Sequence, residues 1–525
     1  MTFSASKLRR TLIALLLMLG AAVLLRPVAA LAHVGSPDIY AEANAGPYKL
    51  FVTVRPPLVI PGVAEIEVRG EAGGPFLSEI QIAPIPLVGE ASKHPPVADR
   101  MKQSSTDKQF FTGALWIMAS GSWQVRFTVD GSQGRAVLSI PVPATASSTK
   151  GMQAGLGILL GCLGLLLIAG IIGIVGAAAR DAQLPPGATP SAAGRKRALI
   201  AMGIALVAMI GAVWGGEVWW KGEAADYAHY VYKPLTMQAT VTPDQTLHLK
   251  IEDPGWIKSR KIEDFVLDHD HLMHLYLLRQ PGLDVVYHLH PDQIAPGEFQ
   301  LALPSMPAGD YRLYADVVHA TGFPETLVAN LDLPEINGRA LAGDDAKGAA
   351  QSISSSGGAS ACPASALAKP EFRLPDGYSM AWNNAATMPA KNPEVFEFSL
   401  LDASGKPPSD MALYMGMLGH AAFVKDDGTV FAHLHPSGTV SMAALMMAAA
   451  QNRPSAPTPD AMPGMAMAPN VIQTGSQSGG LPNSVGFPYG FPTAGAYRVF
   501  VQMKHGQTVE TGVFDACAGS APSNL

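Results

Sequence analysis

Eight of the fourteen histidines recur at matched positions in two stretches of the C-terminal part of the chain. They are His274, His288, His290 and His319 in the first stretch and His420, His433, His435 and His505 in the second. In each stretch a His-Leu-His triplet precedes a proline, and alternate residues of a strand share one face, so each triplet presents two imidazoles on the same side. Imidazole is a ligand for copper, zinc, nickel and iron. The spacing predicts one metal site per stretch, formed by its four histidines.

Histidine and methionine also alternate just before these positions. His269 and His271 align with Met415 and Met417. Both side chains bind copper, and the thioether favours Cu(I), so copper is the preferred metal and zinc the alternative. His271, Met415 and Met417 are further predicted ligands, although a regular strand puts His271 and His274 on opposite faces unless a turn intervenes. In the alternative interpretation all of these histidines are hydrogen-bonded structural residues.

The matched histidines belong to an internal duplication. Ala308-Gly-Asp-Tyr-Arg312 corresponds to Ala494-Gly-Ala-Tyr-Arg498, in the same order relative to the histidines. Such self-similarity predicts two copies of one unit, which we place at residues 226–336 and 362–517. Between them, residues 337–361 are rich in Ala, Gly and Ser and predict a flexible linker. A low-complexity insertion, at about 448–486, interrupts the second copy.

Apolar segments predict a membrane anchor. Residues 1–32 have the basic start, apolar run and Ala30-Leu31-Ala32 cleavage site of a signal peptide. Residues 151–220 contain two apolar stretches joined by a short basic loop, which predicts two transmembrane helices with that loop in the cytoplasm. The parts of the chain on either side then lie outside a bacterial cytoplasmic (inner) membrane.

Composition agrees with this organisation. Hydrophobic residues make up 48% of the chain and charged residues 15%, as expected for membrane spans and β domains. Residues 33–150 carry short alternating strands between Gly and Pro turns. The predicted fold is mainly β: three immunoglobulin-like β-sandwiches, with a transmembrane helical hairpin between the first and second. The net charge of −6 argues against a nucleic-acid partner.

Residues 33–150 resemble the YtkA-like and CopC-like envelope copper-binding sandwiches. The resemblance rests on His33-Val-Gly-Ser-Pro37 and on Trp123-Gln-Val-Arg-Phe-Thr-Val-Asp-Gly131. It implies that His33, once the signal peptide is removed, binds Cu(II) through its amine and ring. The histidine that follows Asp-Gly in that family is Ser132 here. The two later copies are similar to envelope domains with a Gly-His and His-Leu-His-Pro pattern.

These features predict a membrane-anchored extracytoplasmic protein that binds copper, for homeostasis or for delivery to a membrane cuproenzyme. Its expected partners are membrane lipid and a metal-transfer protein. The alternative is a scaffold of an envelope complex. We do not expect an enzyme, since the sequence has no nucleophile–base set or cofactor fingerprint. The oxidising compartment further predicts a Cys362–Cys517 disulfide.

The predicted topology is tested by a reporter fused after Leu525. Because the basic loop between the two spans stays in the cytoplasm, a periplasmic reporter should be active there and a cytoplasmic one inactive. The same reporters inserted at Pro186, within the loop, should give the opposite result. Cytoplasmic activity of the Leu525 fusion would contradict the topology.

Overall fold

The computed structural model describes residues 37–149, 151–182, 184–185, 187–352, 371–384, 387–452 and 480–519. Over these residues the chain is mainly β, with six sheets and two long apolar helices. The predicted signal peptide, His33 and Cys362 lie outside the described residues. Cys517 is disulfide-bonded.

The first domain is built from two sheets around one core. Its strands are β1 (Ile39–Ala45), β2 (Tyr48–Arg55), β3 (Gly62–Gly70), β4 (Leu77–Pro86), β5 (Asp99–Arg100), β6 (Lys102–Gln103), β7 (Phe110–Ile117), β8 (Gly121–Gly131) and β9 (Gly134–Ala144). The sheet orders are β1-β2-β3-β7-β6 and β5-β4-β8-β9. In β3, Ala64, Ile66 and Val68 are buried and the glutamates between them face outward, because successive side chains of a strand alternate.

Two helices follow, α1 (Ala154–Asp181) and α2 (Ala192–Ala228), each long and apolar enough to cross a membrane. They lie against each other, and Gly176 permits the contact: a Cβ there would lie 2.6 Å from the Met202 sulfur. The Tyr227 hydroxyl at the end of α2 donates to the Ile60 carbonyl at 2.9 Å. The first domain therefore rests beside the end of α2.

Each of the two repeats consists of a four-stranded and a six-stranded sheet. The first repeat contains β10 (Thr236–Val241), β11 (Thr246–Glu252), β12 (Phe265–Val266), β13 (His274–Arg279), β14 (Val285–Leu289), β15 (Asp292–Ala295), β16 (Glu298–Ala302), β17 (Gly309–His319), β18 (Pro324–Leu333) and β19 (Ala346–Ala349). Its sheet orders are β10-β11-β16-β15 and β12-β17-β13-β14-β19, with β18 paired to β17.

The second repeat has the same plan with one added helix. Its elements are β20 (Glu371–Arg373), β21 (Ser379–Trp382), β22 (Thr387–Pro389), β23 (Glu394–Leu401), β24 (Met411–Ala412), β25 (His420–Lys425), β26 (Phe431–Leu434), α3 (Met442–Gln451), β27 (Ser484–Tyr489), β28 (Gly495–His505) and β29 (Thr508–Gly519). Its sheet orders are β20-β21-β23-β27 and β22-β29-β28-β25-β26, with β24 paired to β28.

Part of the predicted linker is ordered. Residues 337–352 are described, and β19 within them pairs with β14, with His288 opposite Ala346. The small side chains that suggested a flexible segment instead let this strand pack: Gly348 lies against Thr511 of the second repeat, where a Cβ would meet its methyl group at 2.5 Å. Residues 346–349 therefore form an edge strand that the second repeat covers. The prediction of a flexible linker is wrong for this segment.

The two six-stranded sheets pack face to face. Their facing side chains form one apolar cluster drawn from both repeats: Tyr276, Leu278, Leu283, Val286, Tyr314, Ala422, Val424, Phe431, Phe500 and Val513. Tyr314 and Phe431 stack across the interface with ring centroids 4.2 Å apart. An aromatic pair of this kind contributes about 0.5–1.5 kcal/mol beyond its buried area. Because the apolar cluster is shared, the two repeats form a single packed unit.

The first domain docks onto the second repeat. Its Ala41 pairs with Gly438, and Tyr40 lies in the core of the second repeat, edge-on to Tyr489. Helix α3 packs on β9, and Gln124 of the neighbouring β8 donates to Gln451 Oε1 at 2.6 Å. The first domain is thus held by backbone pairing as well as by side chains.

This docking depends on a glycine, which allows a test. Gly438 has φ +117°, and a Cβ there would lie 1.9 Å from the Tyr40 carbonyl oxygen. We expect Gly438→Ala to detach the first domain, so that calorimetry resolves a separate, earlier unfolding transition for it. Gly405→Ala is the matched control, because Gly405 also has positive φ (+76°) but open space around it. Equal melting profiles for the two variants would contradict this account of the docking.

Candidate metal centre

The facing sheets place eight imidazoles next to one another at one end of the interface between the repeats. We call this set the histidine cluster; it consists of His269, His271, His274, His288, His290, His420, His433 and His435. Neighbouring ring centroids are 3.8–6.0 Å apart in these contacts, from the His271–His290 stack to the His269–His274 pair. Both repeats contribute to it.

Strand register explains why the His288 and His433 side chains point into the cluster. His288 lies opposite Tyr276, and His433 lies opposite Ala422. Tyr276 and Ala422 belong to the apolar cluster between the repeats, so both histidines point into that interface. Each His-Leu-His triplet sends its leucine, Leu289 or Leu434, into the core of its own repeat. The predicted orientation of the triplets is confirmed.

Matching tight turns bring in the residues before β13 and β25. Asp268 pairs with His271, and Tyr414 pairs with Met417. The central residues have positive φ in both, at 51° for His269 and 50° for Met415. These turns confirm the alignment of the two stretches and supply the reversal needed for His271 and His274 to face the same cluster.

Two triads within the cluster have ligand atoms close enough for one ion each. In each triad the nitrogens that could bind lie within 4.8 Å of one another. One triad is His274, His288 and His290, all from the first repeat. The other is His269, His420 and His435, which combines the two repeats. The expectation that each repeat builds its own site is therefore wrong for the second triad.

Four rings of the cluster are held at Nδ1 by an oxygen acceptor. His269 donates to the Met415 carbonyl at 2.9 Å, and His435 to the Val440 carbonyl at 3.2 Å. His290 and His433 donate to Asp345 and Asp316 at 3.3 and 3.1 Å. In all four the buried Nε2 has no hydrogen bond within the described residues. Metal-binding histidines characteristically have this arrangement, since the bonded nitrogen fixes the tautomer and leaves the other free to bind.

His274 and His288 present a related arrangement. His274 Nε2 donates to the Asp268 carbonyl at 2.9 Å, and His288 Nδ1 lies 2.9 Å from Gln502 Oε1. If each of these nitrogens carries its proton, the other two nitrogens face each other as bare lone pairs at 3.2 Å. Two ligands of one ion are separated by about this distance.

Burial favours the neutral form of six rings of the cluster. Desolvation lowers the pKa of His269 and His290, and it lowers the pKa of His274, His288 and His420 strongly, with further lowering from neighbouring imidazoles. The pKa of His435 falls for the same reasons. Neutral imidazole is the form that binds metals, so the buried rings need not lose protons near neutral pH.

His319 lies apart from the cluster, which corrects one prediction. It shares the face of Ala315 and Val317, which point into the core of the first repeat, whereas Asp316 faces the cluster. Its two nitrogens lie 3.0 and 2.9 Å from the carboxylates of Asp264 and Glu325. His319 therefore joins a buried ion-pair network instead of the predicted metal site.

His505 is likewise separated from the other histidines of its repeat. It shares the core face with Val501 and Met503, opposite to Gln502, and its ring stacks on Tyr378 at 4.1 Å. Around it lie the carboxylates of Asp376, Asp410 and Glu510, with oxygens 3.4–3.6 Å from its ring nitrogens. The predicted convergence with His420, His433 and His435 is therefore wrong.

The predicted methionine ligands lie in the turn that precedes β25. Met415 and Met417 are buried, Met415 beside Tyr414 and Ala346, and it is the Met415 carbonyl that contacts the cluster, through His269. Sequence reasoning treated His269 only as the counterpart of Met415. The alternating His269-Asp-His271 pattern was the available signal, because it adds two imidazoles where the second repeat has methionines.

The profile of a domain of unknown function (DUF8832) matches residues 228–330 and 373–519, which cover most of both repeats. No curated protein matches the chain. Similar solved structures include methylamine-reacted alpha-2-macroglobulin from Salmonella, at 8% identity over 91% of this chain and 24% of that one, with a TM-score of 0.20. Red sea bream transglutaminase is 8% identical over 56% of this chain and 32% of its own length, with a TM-score of 0.16. The chain thus spans about a quarter to a third of these proteins, and TM-scores this low support no argument about fold or function.

The network of His319 makes a pH-dependent prediction. Burial acts to lower the pKa of His319, but hydrogen bonds to Glu325 and Asp264 outweigh it and raise that pKa above its usual value of about 6.5. The stabilisation is then complete below about pH 6.5 and is lost as the pH rises through the raised pKa. His319→Gln should cost roughly 2 kcal/mol at pH 6 and less at pH 9, measured by thermal unfolding, with exposed His94→Gln as control. A cost that stays constant with pH would contradict a protonated His319.

Proposed function

We propose that the histidine cluster binds copper, and that the protein is a membrane-anchored extracytoplasmic copper-binding protein. Its role would be copper homeostasis or delivery of copper to a membrane cuproenzyme. The observation that carries the proposal is a set of buried imidazole nitrogens that have no hydrogen-bond partner in the described part of the chain. They are Nε2 of His269, His290, His433 and His435 and both ring nitrogens of His420.

The energetic cost of these nitrogens favours a ligand. An unsatisfied buried polar group costs about 1–3 kcal/mol, so a scaffold made of such groups would be destabilised by its own histidines. A hydrogen-bonded scaffold would instead pair both nitrogens of each ring, as His319 does with Asp264 and Glu325. The cluster differs from that network because its free nitrogens converge on one another. Coordination of a metal would satisfy them together.

The donor set favours copper over the alternatives. Both triads consist of imidazoles alone, which suits copper and zinc better than hard cations such as magnesium or calcium. For a given nitrogen site, divalent copper binds more tightly than zinc or nickel in the usual order of affinities. Zinc remains the second candidate, because imidazole is also its normal ligand.

A partly open edge would allow exchange with a partner. The side chain of His271 is 26% exposed and stacks on the nearly buried His290, while Asp344, 3.4 Å from His271, is also partly exposed. Copper could therefore pass between solvent or a docked protein and the buried rings at this edge. Two helices long and apolar enough to span a membrane would hold the site near a membrane acceptor and raise its effective concentration there.

The proposal is tested by replacing a ring that loses no hydrogen bond. His420→Gln removes a ligand of the mixed triad, and neither ring nitrogen of His420 has a hydrogen-bond partner among the residues that the structure describes. We expect the purified full chain to bind at least one copper fewer than the wild type, measured separately for Cu(I), Cu(II) and Zn(II). The metal-free melting temperature should be unchanged or higher, and the rise on adding copper should shrink, because binding stabilises only the folded state.

His248→Gln is the matched control, since His248 lies on β11 of the first repeat, outside the cluster. It should leave both copper content and melting temperature at wild-type values. A scaffold role predicts the reverse for His420→Gln: lower metal-free stability with no change in metal content. That result, or a wild-type chain that binds none of the three ions, would overturn the proposal.

A further inference from the structure

His319 and His505 occupy equivalent places in the two repeats, and so do the carboxylates around them. Phe265 pairs with His319 and Met411 pairs with His505, so the preceding residues, Asp264 and Asp410, correspond. Both aspartates lie within 3.0–3.4 Å of the Nδ1 of their histidine.

The second carboxylate corresponds in the same way. Glu325 pairs with Val317, two residues before His319, and Glu510 pairs with Met503, two residues before His505. Each repeat therefore contains an Asp–His–Glu set at the end of β17 or β28, on the face turned away from the histidine cluster.

In the first repeat an arginine completes this set. The Arg260 side chain is almost fully buried, and its guanidinium lies 3.0 Å from Glu325 and over the Trp256 ring. It also bonds to Asp253. With both nitrogens of His319 hydrogen-bonded as well, every charge in this network has a partner, and the fixed guanidinium leaves no need for another cation.

In the second repeat a third carboxylate lies beside the equivalent histidine. Asp376, in the turn between β20 and β21, lies with its Oδ2 3.5 Å from His505 Nε2. Glu510 Oε1 lies 3.6 Å from the same nitrogen. Within the described residues none of Asp376, Asp410 and Glu510 forms an ion pair with a lysine or arginine. The set therefore combines one imidazole with three carboxylates and has no resident positive side chain.

The nitrogen between these carboxylates lacks a hydrogen bond. His505 is 8% exposed, and its Nε2 is buried without a hydrogen-bond partner among the described residues. Separations of 3.5 and 3.6 Å are long for hydrogen bonds but match the spacing of ligands about 2.1 Å from a shared ion. Ligand atoms of Asp376, His505 and Glu510 all lie within 4.8 Å of one another.

We propose that Asp376, His505 and Glu510 bind a divalent cation of the zinc type, which supplies the positive charge that Arg260 supplies in the first repeat. One imidazole with two carboxylates suits Zn²⁺ or Mn²⁺ better than copper(I), so this site differs in chemistry from the all-imidazole cluster. The ion would tie the turn between β20 and β21 to the ends of β28 and β29. It is independent of the function proposed for the cluster.

The test measures zinc bound to the full chain by equilibrium dialysis in a His290→Gln/His420→Gln background, which removes one ligand from each imidazole triad. We expect the background to retain one Zn²⁺ per chain and Asp376→Asn to lose it. Asp292→Asn, an exposed carboxylate of β15, is the control and should keep it. Because Asp376 is partly exposed, the melting temperature without zinc should not fall in Asp376→Asn.

Replacing Asp376 by a positively charged residue distinguishes a zinc site from mere repulsion among the three carboxylates. Asp376→Arg removes a ligand and introduces a positive charge beside the remaining carboxylates, so it should abolish zinc binding and raise the melting temperature of the zinc-free chain. Glu510→Gln should also lose the zinc. Retention of one Zn²⁺ by Asp376→Asn or by Glu510→Gln, or a background chain that binds none, would overturn the proposal. Each of these results is independent of whether the cluster binds copper.

Discussion

The face-to-face packing of the two six-stranded sheets is the constraint on which the candidate centre depends. Once Tyr276, Tyr314, Phe431 and Phe500 are buried between the repeats, strand alternation sends every second side chain of β13, β14, β25 and β26 to the same interface. At one end of the interface those positions are histidines. The cluster is therefore a consequence of how the apolar faces match, and a one-residue change of register would turn the imidazoles into the separate cores of the repeats.

The same packing lets each repeat orient the imidazoles of the other. His433 of the second repeat donates to Asp316 of the first, and His288 of the first repeat bonds to Gln502 of the second. Asp268 adds a link outside the sheets, because its carbonyl accepts from His274 while its carboxylate accepts from the Ala443 amide at the start of α3. Since α3 also contacts the first domain, ligand orientation, repeat packing and domain docking share one set of interactions. Rings held in this way are preorganised, which lowers the cost of ordering ligands around a metal.

Local sequence patterns predicted much of the fold, because they report local geometry. Alternation within each His-Leu-His triplet predicted the strands that carry His288 and His433, and the self-similarity of the two stretches predicted the shared sheet plan of the repeats. The misplacement of His319 was also avoidable. Tyr311 faces the core, and eight residues along a strand is an even number, so His319 had to face the core as well. The triad of His269, His420 and His435 could not be predicted in this way, because local patterns do not indicate which faces of two separate repeats pack together. Residues 337–352 were misjudged because small residues suit both flexible linkers and covered edge strands.

Duplication followed by divergence accounts for the asymmetry between the repeats. The backbone equivalence is close, down to the positive-φ turns at His269 and Met415, yet the first repeat contributes five imidazoles to the cluster and the second contributes three. A symmetric pair would carry ten imidazoles with the same burial and more desolvation cost, so replacing two by methionines keeps the turn while limiting the number of buried polar groups. At the opposite face Arg260 and Asp376 differ in charge around equivalent histidines. At the histidine cluster and around His319 and His505, the two repeats share strands and turns but differ in the side chains at the strand ends. The sheets determine the backbone, so residues at the strand ends can differ in chemistry without changing the fold.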